Sequence, residues 1–101
     1  MAKTQLAWWF CEYDQLPHGD GRKVVVGRTH TVEPPIIPCR RGLHASATVR
    51  AALQYARGSI LYRVKLSGTI VAEKGKFAAS SREYLARLDA NVITVFHPRN
   101  L

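Results

Sequence analysis

Acidic residues are scarce in this sequence. Seven Asp and Glu residues stand against fifteen Lys and Arg, so the formal net charge is +8, and ten of the fifteen basic residues are Arg. A positive field of this size attracts polyanions and acidic surfaces, and the planar guanidinium of Arg suits phosphate and carboxylate groups. The charge favours a nucleic acid or an acidic protein surface as partner, and a basic surface that only maintains solubility is the alternative.

Cysteines and long apolar runs are scarce as well. Cys11 and Cys39 are the only cysteines, whereas a small secreted domain usually carries several disulfides. Residues 1–4 lack the apolar core of a signal peptide, and no run approaches the ~18 apolar residues that span a bilayer. These absences predict a cytoplasmic protein with free thiols and no membrane association.

Motifs of catalysis and of metal binding are missing. The sequence has no C-x-x-C pair, no G-x-S-x-G nucleophile motif and no Gly-rich phosphate loop before a helix. The only candidate metal ligands, Cys11, His30, Cys39 and His44, do not have zinc-knuckle spacing, so we interpret them as packing and hydrogen-bonding residues. The residues alone favour a binding protein over an enzyme, without metal or cofactor.

What the sequence does contain is enough chain for one domain. Its 101 residues are 47% apolar, which fits a single domain over 1–101 with a modest core. Alternating patterns and turn residues indicate short extended elements along most of the chain. The predicted strands cover residues 6–11, 23–29, 60–66, 69–73 and 91–96, with a short extended piece at 43–45.

Two adjacent tryptophans lie in the first predicted strand. Successive strand residues point to opposite faces, so either Trp8 or Trp9 must face outward or lie under another element. We interpret the two as core and rim residues. A platform on which nucleic-acid bases stack is the alternative.

The first helix is predicted between Ser46, a good N-cap, and Gly58, a good terminator. Its apolar residues recur at i, i+3, i+4 and i+7 and therefore form one stripe. We expect this stripe to pack on the strand that follows. The expected contacts are those of Val49, Leu53 and Ala56 with Tyr62 and Val64.

A second helix is predicted over residues 81–89. Ser80 and Glu83 match a capping box, and Tyr84, Leu85 and Leu88 supply an apolar side. Short connections between neighbouring elements favour an antiparallel arrangement. The predicted fold class is therefore α+β, a largely antiparallel sheet of about five strands with two helices packed on it.

The densest candidate site is the segment 39–46, C-R-R-G-L-H-A-S. Two arginines flank a glycine turn just before the predicted helix, where backbone N–H groups favour an anion. The alternative is a structural turn in which Gly42 allows a sharp bend and His44 packs or caps. Other basic residues extend the predicted surface. The predicted binding residues are Arg40, Arg41, Arg50, Arg57, Arg63 and Lys65.

Several motifs resemble those of a family of short uncharacterised proteins found mainly in phages, prophages and bacterial mobile elements. The G-L-H-A-S core at 42–46 is followed by A-A, Y-A and L-Y-R-V motifs, and then by Gly68, Lys76 and Arg82. The resemblance covers roughly residues 36–89 and supplies no established activity. It implies a phage accessory protein, such as an anti-CRISPR-like inhibitor, that acts in the host cytoplasm on a nucleoprotein complex.

The same stretch is similar, more distantly, to part of the ADP-ribosyltransferase fold, in which a G-[FL]-[YH]-x-[ST] strand precedes a helix with an A-x-x-Y-A motif. That resemblance implies an NAD-using enzyme with His44 near the nicotinamide, Tyr55 on the helix and Glu73 as the acid that polarises the ribose hydroxyl. Residues 7–10 depart from the pattern, because they contain neither the His nor the Arg that holds NAD. Without the resemblance, Tyr55 is a packing residue and Glu73 a surface partner of Lys74. An enzyme is thus the alternative to a binding protein.

Overall fold

The computed structural model describes residues 3–17 and 20–88, which form five strands and one short helix. Every pairing between the strands is antiparallel. The elements follow in the order β1 (Thr4–Cys11), β2 (Thr29–Thr31), β3 (Leu43–Ser46), α1 (Val49–Leu53), β4 (Ile60–Glu73) and β5 (Lys76–Leu88).

The sheet closes on itself. Its order is β2-β5-β3-β1-β4, and β4 also pairs with β5, so that β1, β3, β5 and β4 form a ring. β1 pairs with β4 along its whole length, and all four residues of β3 pair with β5. Trp8 of β1 lies opposite Ser46 of β3 and completes the ring. The result is a small barrel, with the three residues of β2 added beside the middle of β5.

β5 replaces the second predicted helix, over 81–89. It pairs with β4 almost throughout, and the two strands are joined by Lys74 and Gly75, whose φ angles are 50° and 78°. Positive φ at both positions is the geometry of a tight hairpin. Arg82 and Tyr84 are buried at alternate positions, as strand periodicity requires. Pairing with β4 overrides the local helix signal, and the predicted fold with two helices is wrong.

The one described helix is shorter than predicted. α1 has five residues, and its N-cap is Thr48, whose hydroxyl accepts a 3.0 Å hydrogen bond from the Ala51 N–H. Ser46 is therefore not the cap but the last residue of β3. Gly58 lies beyond the helix, where a Cβ would come within 2.4 Å of the Glu12 Cα. This glycine permits a close approach of two backbone segments rather than ending a helix.

Two buried clusters lie on opposite faces of β4. Inside the barrel are Tyr62, Val64 and Leu66. On the outer face, Leu61 packs with Phe10 and with the apolar residues of α1. The predicted contacts of the helix with Tyr62 and Val64 are wrong, because adjacent strand residues face opposite ways and it is Leu61 that faces the helix.

The other strand predictions hold in part. The predicted strand over 6–11 lies within β1, and the extended piece at 43–45 lies within β3. The strands predicted over 60–66 and 69–73 are one continuous strand, β4, with an irregular register where a turn was expected. A bulge therefore replaces the turn.

The second strand is much shorter than predicted. Only the last residue of 23–29 belongs to β2, and Val25 and Val26 are about half exposed although Val24 is buried. Apart from one isolated bridge at Lys23, no described strand pairs with residues 23–28, so β-propensity alone does not make this segment a strand. The predicted strand over 91–96 lies outside the described residues.

Candidate anion-binding cleft

An open cleft of about 830 Å³ lies along β1 and β3 and reaches the end of α1 and the first half of β5. Its walls combine basic and aromatic side chains. Among the described residues, the charged ones are Arg40, Arg57, Lys76, Arg82, Glu12 and Asp20, and the aromatic ones are Trp8, Trp9, Phe10, Tyr13 and Tyr55.

The charges of the cleft do not balance within the described part of the chain. Four basic residues line it against two acids, and one of the acids, Asp20, already forms a 2.9 Å ion pair with Arg22. The acid that remains, Glu12, is exposed. The cleft therefore carries a net positive field that favours an anionic ligand.

Arg82 is the buried member of this basic set. Only 2% of its surface is exposed, and its guanidinium carbon lies 3.8 Å from the centroid of the Trp9 ring. Nε donates to the Tyr84 hydroxyl at 3.1 Å, and Nη1 donates to the carbonyl oxygen of His44 at 2.6 Å. No carboxylate in residues 3–17 and 20–88 forms an ion pair with it. A buried charge is costly when no opposite charge accompanies it.

His30 extends the hydrogen bonding around Arg82. Its Nδ1 lies 2.8 Å from the Tyr84 hydroxyl oxygen, which also accepts a bond from Arg82 Nε. Burial lowers the pKa of His30, and the charges of Arg22 and Arg82 lower it further. Burial raises the pKa of Tyr84. At neutral pH both groups are therefore uncharged, and neither supplies the missing negative charge.

A second row of contacts runs along the cleft from its rim. Lys76 Nζ lies 2.8 Å from Cys39 Sγ and 4.8 Å from the centroid of the Tyr55 ring. The Cys39 backbone N–H donates to His44 Nε2 at 3.0 Å. The hydrogen bond that Lys76 donates to Cys39 Sγ raises the pKa of Lys76, which keeps its ammonium charged. These contacts join Tyr55 at the rim to His44, whose carbonyl holds Arg82.

Two of the three residues of the enzymatic alternative share this cleft. His44 and Tyr55 line it, and 56% of Tyr55 is exposed. Glu73 is exposed at the end of β4, opposite Lys76 in the hairpin, and is not among the lining residues. The structure brings the histidine and the tyrosine together without the acid.

Only two of the six predicted binding residues, Arg40 and Arg57, line the cleft. Arg41 and Arg50 are exposed outside it, and Arg41 Nε donates to the Glu33 carbonyl oxygen at 2.8 Å. The anion site expected at a helix N-terminus is not formed, because β3 separates the arginine pair from α1. Arg40 thus contributes through the cleft wall and not through a helix end.

The remaining two predicted residues lie on β4. Arg63 lies over the Trp8 ring, with its guanidinium carbon 4.4 Å from the centroid. Lys65 forms a 3.4 Å ion pair with Glu83. Neither lines the cleft, so these two form a separate basic stretch next to a cleft residue, Trp8.

Arg82 is the site residue that the sequence did not reveal. It appears there only as part of the motif resemblance, inside a predicted helix. A period-two pattern over residues 80–88 would have placed Arg82 and Tyr84 on one face. The inward side chain is an arginine, however, and apolar alternation is the usual sign of a buried strand face.

The described residues also limit the other chemistry of the site. They hold no group of three or more His, Cys, Asp and Glu that could bind a metal ion. Cys11 and Cys39 are both free, and burial raises the pKa of the Cys11 thiol to about 11. No helix in this part of the chain is long and apolar enough to cross a membrane.

In comparisons with known proteins, no family model, no curated protein and no solved structure matches this chain. The case for a function therefore depends on the charges and contacts of the cleft.

Proposed function

We propose that this protein is a small accessory binding protein that recognises an anionic partner through a basic surface centred on the cleft. The partner is nucleic acid or an acidic protein surface, most simply within a host nucleoprotein complex in the cytoplasm. One observation supports this function above the others. The described part of the cleft gathers four basic side chains, whereas one of its two acids is already paired.

Arg40 and Arg57 are the contact residues at the mouth of the cleft. Both are exposed, and neither forms an ion pair among the described residues. Their planar forks can therefore turn to a phosphate or a carboxylate without first breaking a bond within the protein. Aromatic side chains beside them, among them Tyr13 and Tyr55, add surfaces on which bases or other planar groups stack.

The motif resemblance to phage and prophage proteins supplies the biological setting. A phage accessory protein of this size acts by occupying a surface of a host assembly, as anti-CRISPR inhibitors do. A basic cleft fits such a role, because host nucleoprotein complexes present either a nucleic acid or the acidic protein surfaces beside it.

The experiment compares two double variants that remove the same charge. Arg40→Ala with Arg57→Ala removes two cleft cations, and Arg41→Ala with Arg50→Ala removes two exposed arginines outside the cleft. Fluorescent single-stranded DNA, duplex DNA and poly-glutamate serve as probes, titrated at several salt concentrations. We expect the cleft variant to lose at least several-fold in affinity and to show a shallower salt dependence, by about 0.9 per lost phosphate contact on duplex DNA.

An equal loss in both double variants would mean that net charge alone drives binding and that the cleft is not the site. Binding to none of the probes, at any salt concentration, would contradict an anionic partner. Capture from a bacterial lysate, with and without nuclease, then separates a nucleic-acid partner from an acidic protein.

A further inference from the structure

Arg82 has more hydrogen-bond donors than the described acceptors around it use. A guanidinium offers five N–H donors, and Arg82 uses one on the Tyr84 hydroxyl and one on the His44 carbonyl. No other described acceptor bonds to it, so three N–H groups and the whole positive charge remain without an anionic partner in the part of the chain that the structure shows.

The unused donors belong to a group that is almost fully buried and yet lines the cleft. Arg82 is 2% exposed and is one of the residues of the cleft wall. A group of such low exposure suits only a ligand small enough to enter the cleft, such as a small molecule that ends in a phosphate or a carboxylate. The complement of Arg82 is therefore a small anion and not the surface of a macromolecule.

The guanidinium is also held in one position. Trp9 lies against its face at 3.8 Å, and two hydrogen bonds fix its edge. A fork that is already ordered loses little conformational entropy when it binds, and such preorganisation raises affinity. The Arg82 guanidinium is buried and stacked on a ring, as in arginines that bind ligands, and is not a solvated surface charge.

We propose that the cleft binds a small organic phosphate of mononucleotide size, with the phosphate on Arg82 and the planar base against the aromatic wall near Tyr55. Further cations, Lys76 and Arg40, line the same cleft and suit the double charge of a phosphate monoester. The volume of about 830 Å³ lies within the range of small-molecule sites. This inference rests on the proposed anionic function of the cleft and names its innermost ligand.

The test uses the full chain with defined probes at constant ionic strength. Thermal melting and calorimetric titration are measured with each of the four ribonucleoside monophosphates, inorganic phosphate, adenosine and citrate. We expect at least one monophosphate to bind more tightly than inorganic phosphate, and adenosine to bind least. A monophosphate at about a hundredfold its dissociation constant should raise the melting temperature by roughly 5 °C or more.

Two variants of Arg82 separate a binding role from a structural one. Arg82→Met keeps the length of the side chain and removes the charge. Removing a buried charge that lacks a counter-ion favours folding, whereas losing the bonds to the Tyr84 hydroxyl and the His44 carbonyl costs stability. The decisive result is therefore that this variant should lose the response to monophosphates. Arg82→Lys keeps the charge without the fork and should bind at least tenfold more weakly.

Matched controls keep the outcome decisive if Arg82→Met does not fold. Tyr55→Leu changes a side chain that is 56% exposed and should weaken the monophosphates while leaving inorganic phosphate unchanged. Arg28→Met removes the same charge at an exposed position outside the cleft and should bind like wild type.

The proposal is overturned if no monophosphate stabilises the wild-type protein, or if citrate binds as tightly as the best monophosphate. Unchanged binding in Arg82→Lys and Tyr55→Leu would overturn it too. Failure here is distinct from failure of the proposed function. Polyanion binding that depends on Arg40 and Arg57, without any monophosphate binding, would leave the basic surface in place and remove only the inner site.

Discussion

On each face of β1 an arginine from a neighbouring strand lies over a tryptophan, and the two pairs differ in their surroundings. On the outer face, Arg63 lies over Trp8, 4.4 Å from the ring centroid. On the inner face, Arg82 lies over Trp9 at 3.8 Å. Arg63 has one further bond, a long 3.4 Å contact with the Ala7 carbonyl oxygen, whereas Arg82 makes two bonds of 3.1 Å or less.

This difference shows how burial changes the role of one type of interaction. A cation over an aromatic ring at an exposed site contributes about 0.5–1 kcal/mol, and more when it is desolvated. The outer pair covers apolar surface while its charge stays in contact with water. The inner pair withdraws a charge from water without a described counter-ion, which favours a ligand that supplies one.

The largest contrast is expected from removing each tryptophan. Trp9 packs against the barrel core and lies 6.0 Å from the ring of Tyr62 and 5.9 Å from that of Tyr84. Trp9→Ala should therefore lower the free energy of unfolding by about 3–5 kcal/mol. Trp8→Ala should cost less, because the outer cluster against which Trp8 packs contains fewer buried residues. Urea unfolding of both variants checks this, and equal losses would contradict the distinction between the faces.

A second contrast is between the barrel core and the outer cluster, which lies beneath α1. Leu53 is half-buried and packs with Leu61 and Phe10. Leu53→Ala should cost about 2–3 kcal/mol, toward the lower end for buried leucines. It should leave binding of inorganic phosphate unchanged, because the helix cluster does not include the Arg82 contacts. Urea unfolding measures the loss, and a wild-type midpoint in this variant would show that the helix packs elsewhere.

Acidification should weaken the inner face and not the outer one. The pKa of His30 is lowered from 6.5 by burial and by Arg22 and Arg82, so the unfolded chain takes up this proton at higher pH than the folded chain. Stability should therefore be constant above about pH 6.5 and should fall as the pH drops below it. Melting curves from pH 7.5 to 5 would show the decline, and His30→Gln should flatten it.

A matched variant separates the two faces in that experiment. Arg63→Met changes the outer pair and leaves His30 with its Tyr84 contact in place, so it should keep the wild-type pH profile. A profile that is equally steep in His30→Gln would assign the decline to groups other than His30.

The smallest effect is expected from Arg40 and Arg41, neither of which lies over an aromatic ring of the described residues. Arg40 and Arg41 are exposed, and Arg41 makes one bond to the backbone of Glu33. The double change to Ala should leave the free energy of unfolding within about 0.5 kcal/mol of wild type, the usual range for surface substitutions, and should weaken binding of an anionic partner. A protein that unfolds would show that these arginines are structural.

Local patterns were sufficient for the strands whose two faces differ in polarity. β4 alternates Tyr62, Val64 and Leu66 with Arg63 and Lys65, and this period of two predicts its buried face. In β1 the adjacent tryptophans had to separate, and Trp9 does lie inside while Trp8 lies outside. No local sequence pattern predicts that the strands close into a ring, because β1 and β3 pair in the ring with strands that are distant in sequence.

β5 shows where local patterns mislead. The capping box of Ser80 and Glu83 and the apolar spacing of Tyr84 and Leu88 are real helix signals, but Leu85 proves to be exposed. The same misassignment concealed the inner part of the cleft, because Arg82 reaches it only from a strand. Residues on correctly predicted segments, such as His44 of β3, did prove to line the cleft.

The closed ring of strands also determines when each strand can find its partners during synthesis on the ribosome. β1 is synthesised first, yet its first residue pairs with Ser67 of β4, and β3 requires β5, which reaches Ser46 through Lys76. β1 and β3 therefore emerge before β4 and β5, the strands with which they mainly pair. Pairing over such sequence distances slows folding. The apolar segment Thr4–Cys11 is thus exposed to chaperones and proteases until most of the chain has been made.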